Sequence, residues 1–514
     1  MGLPQTAVGI KVTRRDAVKL AVLLAPFESA CLSGRPEMRL LPSRAPLPKP
    51  FGAPLPIPPV LQPASKDATT DYYDITTRAA TARILPGLNT TIWGYNGIFP
   101  GPTIEARRNR RVALRLRNEL PVPVVNHLHG GRTPPESDGY PTDLVLPVSG
   151  FPVGRSHDPL ARIATGQREY IYPNEQRGAT LWYHDHRMDF TAPQVWRGLA
   201  AFYILRDDTE QQLPLPRGDK EIPLFICDRA FDTSGEFLYP SLDSSLRGKM
   251  GVTSEYMGGV MGDVILVNGA PWPRLEVANT KYRFRILNGS NARRYELALE
   301  PAPGGASFIQ IGSDGGLLSA PIRHRTIRIA PAQRFDVVID FSAYPIGSTI
   351  TLLNKSDTGP AGQIMRFHVT RAERDESRIP AFLSDLQLPD RRGALITRTF
   401  DFSYRRGMQN WTVNGKSYDH ARMDARPQLD STEIWQFKTD FSHPLHLHLV
   451  HFHVLSHNGR PGPWDAGWKD TIDLGPGQTA NILVNFRGYR GRYVFHCHNL
   501  EHEDMGMMAN FEVV

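Results

Sequence analysis

Cysteine is scarce in this chain: its 514 residues include only Cys31, Cys227 and Cys497. They are too few and too far apart for a disulfide framework or for the paired cysteines of a structural zinc site. The apolar stretch near the N-terminus is too short to span a membrane. The net charge is +7, but the basic residues are scattered and no run of them accompanies a nucleic-acid recognition motif. The scarcity of cysteine, the short apolar stretch and the scattered basic residues argue, on sequence grounds, against a disulfide-rich, membrane-spanning or nucleic-acid-binding protein.

Glycine and proline, in contrast, are abundant, with 44 of each. This composition, with a negative mean hydropathy, favours many short strands joined by turns over long helices. The chain is too long for one ordinary core, so we expect an all-β protein of several domains. Residues 45–63 are dense in proline and cannot form a helix or a central strand, so we expect an extended arm there.

One sequence pattern occurs three times. It begins at Asn96, at Asn268 and, more loosely, at Asn414, and each copy has an Asn-Gly turn, an apolar strand, a polar break and a further strand. The first two copies end in VALRLRN and YRFRILN, whose period of two is that of a half-buried strand. We therefore expect three related β-sandwich domains.

The chain also carries signals for its organisation and destination. Paired Arg14 and Arg15 precede a short apolar stretch, as in a twin-arginine export signal. This predicts delivery to the periplasm, the cell envelope or the outside of the cell, with the cytoplasm as the alternative. Polar, proline-containing segments indicate domain limits near residues 215 and 388. The predicted organisation is an export signal at 1–35, a proline-rich arm at 36–66, and domains at 67–215, 216–388 and 389–514.

Histidine is concentrated in four short motifs, HLHG, HDH, HPLHLH and HCHNLEH, which hold ten of the seventeen histidines. A single HxH motif is often just the polar face of a strand. Four such motifs together, one of them with a cysteine, indicate metal binding. The ten are His127, His129, His184, His186, His443, His446, His448, His496, His498 and His502.

Cys497 stands between His496 and His498. If this segment is a strand, the two histidines project to one face and the cysteine to the other, so the cysteine serves a second metal site. A thiolate between two histidine ligands would link the two centres. Thiolate, imidazole and thioether ligands together are those of a blue electron-transfer copper. The ligands predicted for this copper are Cys497, His443, His502 and Met507.

Eight histidines remain for the other face. Eight neutral imidazoles suit a cluster of three coppers. Four of them come from the first domain and four from the last, so we expect the cluster between these domains, with the middle domain holding the two together. The eight are His127, His129, His184, His186, His446, His448, His496 and His498.

The four motifs, in this order and spacing, resemble those of the multicopper oxidases from about residue 70 onwards. HLHGGRTPPESDGYP, TLWYHDHRMDFTAPQVWRGLAAFYIL, KYRFRILNGSN and HPLHLHLVHFHVL are similar to segments of the branch that contains bacterial spore-coat laccase, bilirubin oxidase and phenoxazinone synthase. The resemblance implies three cupredoxin-like Greek-key β-sandwich domains and four coppers per chain. It also implies that one-electron oxidations of substrate are coupled to the reduction of dioxygen to two waters.

The resemblance further implies a role for each ligand. His443, Cys497, His502 and Met507 would hold the mononuclear type 1 copper. His127 and His446 would hold the type 2 copper. The type 3 pair would be held by His129, His184, His186, His448, His496 and His498.

Two carboxylates, Asp138 and Glu503, are expected to supply protons for oxygen reduction. Their alternative roles are a turn residue before Gly139 and a partner that orients a ligand imidazole. An electron is expected to leave the substrate through His443 or, preferentially, through a solvent-facing His502.

The expected partners are a small aromatic reductant, such as a phenol or aminophenol, and O2. One alternative is a metal-ion oxidase that collects cuprous ion on Met250, Met257 and Met261, whose soft thioethers suit that ion. The other is a non-enzymatic coat protein or copper store, for which a spore-coat location stays open.

Overall fold

The computed structural model describes residue 2 and residues 36–152, 158–408 and 410–514. The predicted export signal, apart from Gly2, therefore lies outside the described residues. Within the described ranges, no helix combines the length and apolarity needed to cross a membrane. The secondary structure is mainly strands, with three short α-helices among the described residues.

The first sandwich consists of two mixed sheets. One has the strand order β10-β6-β3-β2, with β4 also on β3, and the other has the order β5-β12-β11-β7. Their buried faces share one core of aliphatic and aromatic side chains. The elements of this part of the chain, including β1 of the arm and the separate β8-β9 pair, are β1 (Arg39–Leu41), β2 (Ser65–Lys66), β3 (Thr70–Ala82), β4 (Thr90–Tyr95), β5 (Ile104–Arg107), β6 (Arg111–Asn118), β7 (Asn126–His129), β8 (Val145–Leu146), β9 (Ala164–Thr165), β10 (Gln167–Tyr172), β11 (Ala179–Asp185), α1 (Thr191–Arg197), β12 (Ala200–Arg206) and α2 (Asp208–Gln212).

The middle sandwich pairs a large sheet, with the order β17-β16-β13-β19-β24-β21-β22, with a five-stranded one, β18-β26-β25-β20-β23. Its elements are β13 (Glu221–Phe231), β14 (Phe237–Leu238), β15 (Val260–Gly262), β16 (Val264–Val267), β17 (Ala270–Pro271), β18 (Arg274–Ala278), β19 (Lys281–Asn288), β20 (Tyr295–Glu300), β21 (Phe308–Ser313), β22 (Gly316–His324), β23 (Ile327–Ile329), β24 (Arg334–Asp340), β25 (Thr349–Asn354) and β26 (Gln363–Arg371).

The last sandwich pairs the sheets β28-β27-β30-β34-β32 and β29-β36-β35-β31-β33 around its own core. Its elements are β27 (Ile396–Arg405), β28 (Asn410–Val413), β29 (Met423–Ala425), β30 (Thr432–Thr439), β31 (His443–Leu447), β32 (Phe452–His457), β33 (Thr471–Leu474), β34 (Thr479–Asn485), β35 (Gly491–Cys497), α3 (Leu500–Asp504) and β36 (Met508–Val513).

The repeated sequence pattern corresponds to a repeated structure. Asn96, Asn268 and Asn414 all have left-handed backbone, with φ of 55°, 50° and 53°, which suits the Asn-Gly turns of tight hairpins. In each sandwich the strand that closes the pattern, β6, β19 or β30, pairs in parallel with β3, β13 or β27. The preceding strands β5, β18 and β29 pair in parallel with β12, β26 and β36. The prediction of an all-β chain with three related sandwiches is confirmed.

The proline-dense arm lies along the outside of two sandwiches. Strand β1 pairs in parallel with β15 of the middle sandwich. Further along, the Leu55 amide donates to the Arg274 carbonyl at 2.8 Å, and the Leu61 amide donates to the Thr103 carbonyl at 2.8 Å. The arm therefore connects the middle sandwich to the first.

The two alternating segments differ in burial. In β6 the arginines are exposed and the leucines buried, as expected for a half-buried strand. In β19 the same pattern is buried on both faces, and Arg283 and Arg285 are each 1% exposed. The expectation of a half-buried strand was wrong for β19, because its arginines are neutralised by acidic residues at the junction with the first sandwich.

This junction contains a charge network of three arginines and three carboxylates. Glu210 accepts from Arg206, Arg283 and Arg285 at 2.9, 3.1 and 2.7 Å. Burial raises the pKa of Glu210, but the three guanidinium groups outweigh it and hold the pKa well below its usual range. Glu210 is therefore ionised, and its ion pairs connect the end of the first sandwich to β19. The other two carboxylates are Glu221 and Asp336.

We expect Glu210→Gln to destabilise the protein by about 3 kcal/mol, because it leaves one buried guanidinium without a compensating charge. The midpoint of urea unfolding measures this loss. Asp74→Asn is the matched control: the Asp74–Arg115 pair at 2.6 Å is more than half exposed, and an exposed pair contributes less than about 1 kcal/mol. Equal shifts for the two variants would contradict the role assigned to the network.

Candidate metal centres

Two pairs of neighbouring strands bring the histidine motifs together. In the first sandwich β7 and β11 are antiparallel, with His127 opposite His184. In the last sandwich β31 and β35 are antiparallel, with His446 opposite His496. The two sandwiches face each other here, and the Nε2 atoms of His127 and His446 are 3.4 Å apart.

Seven of the eight histidines fall into overlapping groups whose donor atoms lie within 4.8 Å of one another, and all eight are buried. His498 adjoins them through its ring, with centroids 5.1 Å from His129 and 5.4 Å from His184. The groups are His127, His129 and His184; His127, His446 and His448; and His186, His448 and His496.

Backbone carbonyls orient several of these rings. Nδ1 of His127 donates to the Asp138 carbonyl at 2.6 Å, and Nδ1 of His446 donates to the Asp470 carbonyl at 2.9 Å. In both rings Nε2 therefore points toward the other histidines as a lone-pair donor. Nε2 of His184 is buried with no hydrogen-bond partner among the described residues. A buried ring nitrogen without a hydrogen-bond partner is available to coordinate a cation.

Two carboxylates contact the outer nitrogens of this cluster. Glu503 places Oε1 3.3 Å from Nδ1 of His186 and Oε2 3.1 Å from Nδ1 of His496. Asp138 lies 2.8 Å from Nδ1 of His448. Burial raises the pKa of Asp138 well above its usual value. Burial also raises the pKa of Glu503, but His496 and His186 outweigh it and lower the pKa to about 2. The two carboxyls therefore have pKa values shifted in opposite directions.

A second site lies on the opposite side of Cys497. Nδ1 of His443 is 3.3 Å from Cys497 Sγ and 3.1 Å from Nδ1 of His502, which is itself 3.6 Å from the sulfur. Met507 is buried in the same core as Cys497, and its amide donates to the His502 carbonyl at 3.0 Å. Cys497 thus belongs to this group, while His496 belongs to the eight-histidine cluster.

The protonation states suit copper. Burial lowers the pKa of His127, His446 and His448 well below the usual histidine value, so these rings are neutral and can donate lone pairs. Burial raises the pKa of the Cys497 thiol, so its thiolate needs a nearby cation to form. Neutral imidazoles with one thiol and one thioether form a donor set that copper accepts.

Sequence reasoning did not identify Asp470. Its Oδ1 lies 3.1 Å from Nε2 of His129 and accepts from Arg334 of β24 at 2.7 Å. The contact joins the first, middle and last sandwiches at the histidine cluster. Asp470 carries no sequence signal, because all of these partners are distant in the chain.

His502 is not solvent-facing, so that expectation was wrong. The side chain is 0% exposed, and its Nε2 lies 3.1 Å from the Gly258 carbonyl. Trp411 stacks on its ring at a centroid distance of 3.7 Å and an interplanar angle of 28°. Gly258 is in turn covered by the N-terminal arm, because a Cβ at this position would lie 2.3 Å from the Glu37 backbone.

Comparison with known proteins identifies the family. The family model described as multicopper oxidase matches residues 76–210, and a second model of the same description matches residues 395–514. The chain is 38% identical to a laccase of Bacillus subtilis (strain 168) over 515 residues, which covers 89% of this chain and 97% of the relative. The chain belongs to the multicopper oxidase family.

Other relatives agree with this assignment. The bilirubin oxidase of Albifimbria verrucaria is 32% identical, with 90% of this chain and 81% of that protein covered. The crystal structure of a laccase from Pediococcus acidilactici superposes with a TM-score of 0.78 at 31% identity, covering 94% of this chain and 96% of that one. The sandwiches are therefore cupredoxin-like, and the chain is a laccase-like, copper-dependent oxidoreductase with O2 as acceptor.

We expect Trp411→Ala to weaken the retention of copper and the visible absorption of the copper-loaded protein, because His502 loses the ring that holds it in place. Trp411→Phe keeps an aromatic face against His502 and serves as the matched control. Copper quantification after dialysis, with an absorption spectrum of each variant, measures the effect. Unchanged copper and colour in the alanine variant would rule out this positioning role.

Proposed function

We propose that the two groups described above hold four coppers. His443, Cys497, His502 and Met507 would hold a type 1 copper, whose axial ligand is the Met507 thioether. The short distances among His443, Cys497 and His502 support this set. When bound, the coppers would supply one-electron oxidation of the reductant and four-electron reduction of dioxygen to water.

The roles proposed for the other eight ligands are supported by the same geometry and by the family pattern. His127 and His446, with facing Nε2 atoms, would hold the type 2 copper. Nε2 of His496 lies 3.3 Å from that of His186 and 3.2 Å from that of His448, which supports these three as one type 3 set. The other type 3 set would be His129, His184 and His498.

The observation that carries the proposal is the position of Cys497. Its side chain contacts the His443 and His502 rings, while the preceding residue, His496, contacts His186 and His448. Adjacent residues of one strand thereby join the two sites through covalent bonds. Such a link is required if electrons accepted at one site are to reach the site that reduces oxygen.

Asp138 and Glu503 are proposed to supply the protons that the reduction of dioxygen to water consumes. Asp138 lies 2.8 Å from Nδ1 of His448, and burial raises its pKa, which favours its protonated form. Glu503 contacts Nδ1 of both His186 and His496, a position from which its carboxyl group can exchange protons at the cluster. The two carboxyls thus contact different histidines of the same cluster.

The proposed reductant is a small phenol, aminophenol or related aromatic. Relatives named laccase and bilirubin oxidase, matched over about nine-tenths of this chain, support this class and do not favour the metal-ion oxidase. Because His502 is buried, the electron would pass through the Gly258 carbonyl that accepts its hydrogen bond.

Export and the domain limits are part of the proposal. Arg14 and Arg15 support a twin-arginine route out of the cytoplasm. Domain limits near residues 215 and 388 are supported by the connections from β12 to β13 and from β26 to β27, where one sandwich ends and the next begins.

We expect Cys497→Ser to abolish both the blue colour and the oxidase turnover, since serine cannot supply the thiolate that gives a type 1 copper its absorption. Absorption spectra and oxygen uptake with 2,6-dimethoxyphenol measure the two properties. Cys227→Ser is the matched control, because Cys227 is also buried but lies in β13, outside both metal groups. Normal turnover in the Cys497 variant would contradict the proposal.

We expect Glu503→Gln to lower kcat for oxygen uptake about 100-fold, in line with the loss of a general acid–base group, and to leave the copper content unchanged. The two readouts separate the possible roles. A variant that loses copper would show that Glu503 acts by orienting His186 and His496. A fully loaded variant with normal kcat would exclude Glu503 from proton supply.

A further inference from the structure

A cleft of about 320 Å³ opens where the three sandwiches meet. Its walls include Arg108 after β5, Leu317 of β22 and Asn485 of β34, one residue from each sandwich. None of the twelve proposed copper ligands lines it. The cleft adjoins the histidine cluster, since Gly130 and Leu449 in its lining directly follow two histidines of that cluster, but it contains none of the proposed ligands.

Four arginines surround this cleft: Arg108, Arg132, Arg177 and Arg487. Arg108 and Arg487 are exposed at its mouth, whereas Arg132 and Arg177 are half-buried. Across the described residues, no ion pair within 4.0 Å connects any of the four to a carboxylate. This differs from the junction of the first and middle sandwiches, where each arginine of the buried network has an acidic partner.

The two carboxylates in the lining are already hydrogen-bonded to the main chain. Asp207 accepts from the amides of Gly178 and Glu210 at 2.7 and 2.9 Å. Asp385 accepts from the Gln387 amide at 3.0 Å. Four guanidinium groups against two carboxylates leave the lining with two excess positive charges.

The environment of the two half-buried arginines disfavours their charged form. Burial lowers the pKa of Arg132, and the charges of Arg487 and Arg108 lower it further. Burial likewise lowers the pKa of Arg177, whose Nη1 is buried with no hydrogen-bond partner among the described residues. An anion in the cleft would offset the repulsion among these guanidinium groups and accept hydrogen bonds from N–H groups that line the cleft.

The rest of the lining restricts the kind of anion. Leu317, Leu386, Val450 and Trp468 provide apolar surface among polar residues of the lining, and the volume lies at the lower end of the range for small-molecule sites. Two excess charges and this apolar surface suit a molecule with two anionic groups on a small apolar body.

We propose that this cleft binds a small organic dicarboxylate, with its carboxylates on the four arginines and its apolar body between Val450 and Trp468. The guanidinium groups offer bidentate hydrogen bonds to carboxylates. The ligand would contact all three sandwiches at once. The proposal is independent of the copper chemistry.

The test is calorimetric titration of the copper-loaded, full-length protein with isophthalate. This probe carries two carboxylates on a benzene ring and has no phenolic hydroxyl to be oxidised. We expect it to bind, and benzoate, with one carboxylate, to bind about tenfold more weakly. Arg132→Gln and Arg177→Gln should each weaken isophthalate binding about tenfold.

Control variants keep the test decisive. Arg83→Gln changes an exposed arginine outside the cleft and should bind isophthalate like the parent protein. Arg177 also donates to Ser384 and Leu317, so its replacement could disturb the local structure. Arg108→Gln and Arg487→Gln change arginines at the exposed mouth instead, and each should also weaken isophthalate binding. Absence of isophthalate binding, equal affinity for benzoate, or unchanged affinity in the cleft variants would overturn the proposal.

Discussion

The alternation of side chains along β35 is the constraint on which both metal sites depend. Because neighbouring residues of a strand project to opposite faces, Cys497 faces the His443 and His502 rings while His496 faces the histidines of the first sandwich. A shift of one residue in the pairing of β31 with β35 would exchange these faces. The register that places His446 opposite His496 therefore positions both sites at once.

The remaining structure keeps two separate sandwiches in contact around this strand. The eight-histidine cluster takes half of its side chains from each sandwich, so their relative position must be held to within about 0.5 Å. The middle sandwich contributes through charge: Arg334 contacts Asp470 next to the cluster, and Arg283 and Arg285 contact Glu210 at the end of the first sandwich. Moving the sandwiches apart would leave buried charges without their partners, which is costly in free energy. The buried ion pairs therefore hold the sandwiches in this position.

Much of this was predictable from the sequence, because the decisive signals are local. The Asn-Gly turns mark the three repeats, and the HxH spacing indicates which side chains share a face of a strand. Asp470, Trp411 and the burial of His502 were not predictable, because each depends on contacts between distant segments, such as the N-terminal arm over Gly258. The burial of β19 was missed for the same reason: period two shows alternation, but it does not show whether an acidic neighbour neutralises the arginines.

The most direct test of the account is to measure copper per chain and the stoichiometry of oxygen consumption on the same preparation. Two metal groups joined at Cys497 predict about four coppers per chain, with four phenol molecules oxidised for each O2 consumed and no release of hydrogen peroxide. A single copper per chain, or peroxide as the product, would contradict the coupling of the two sites.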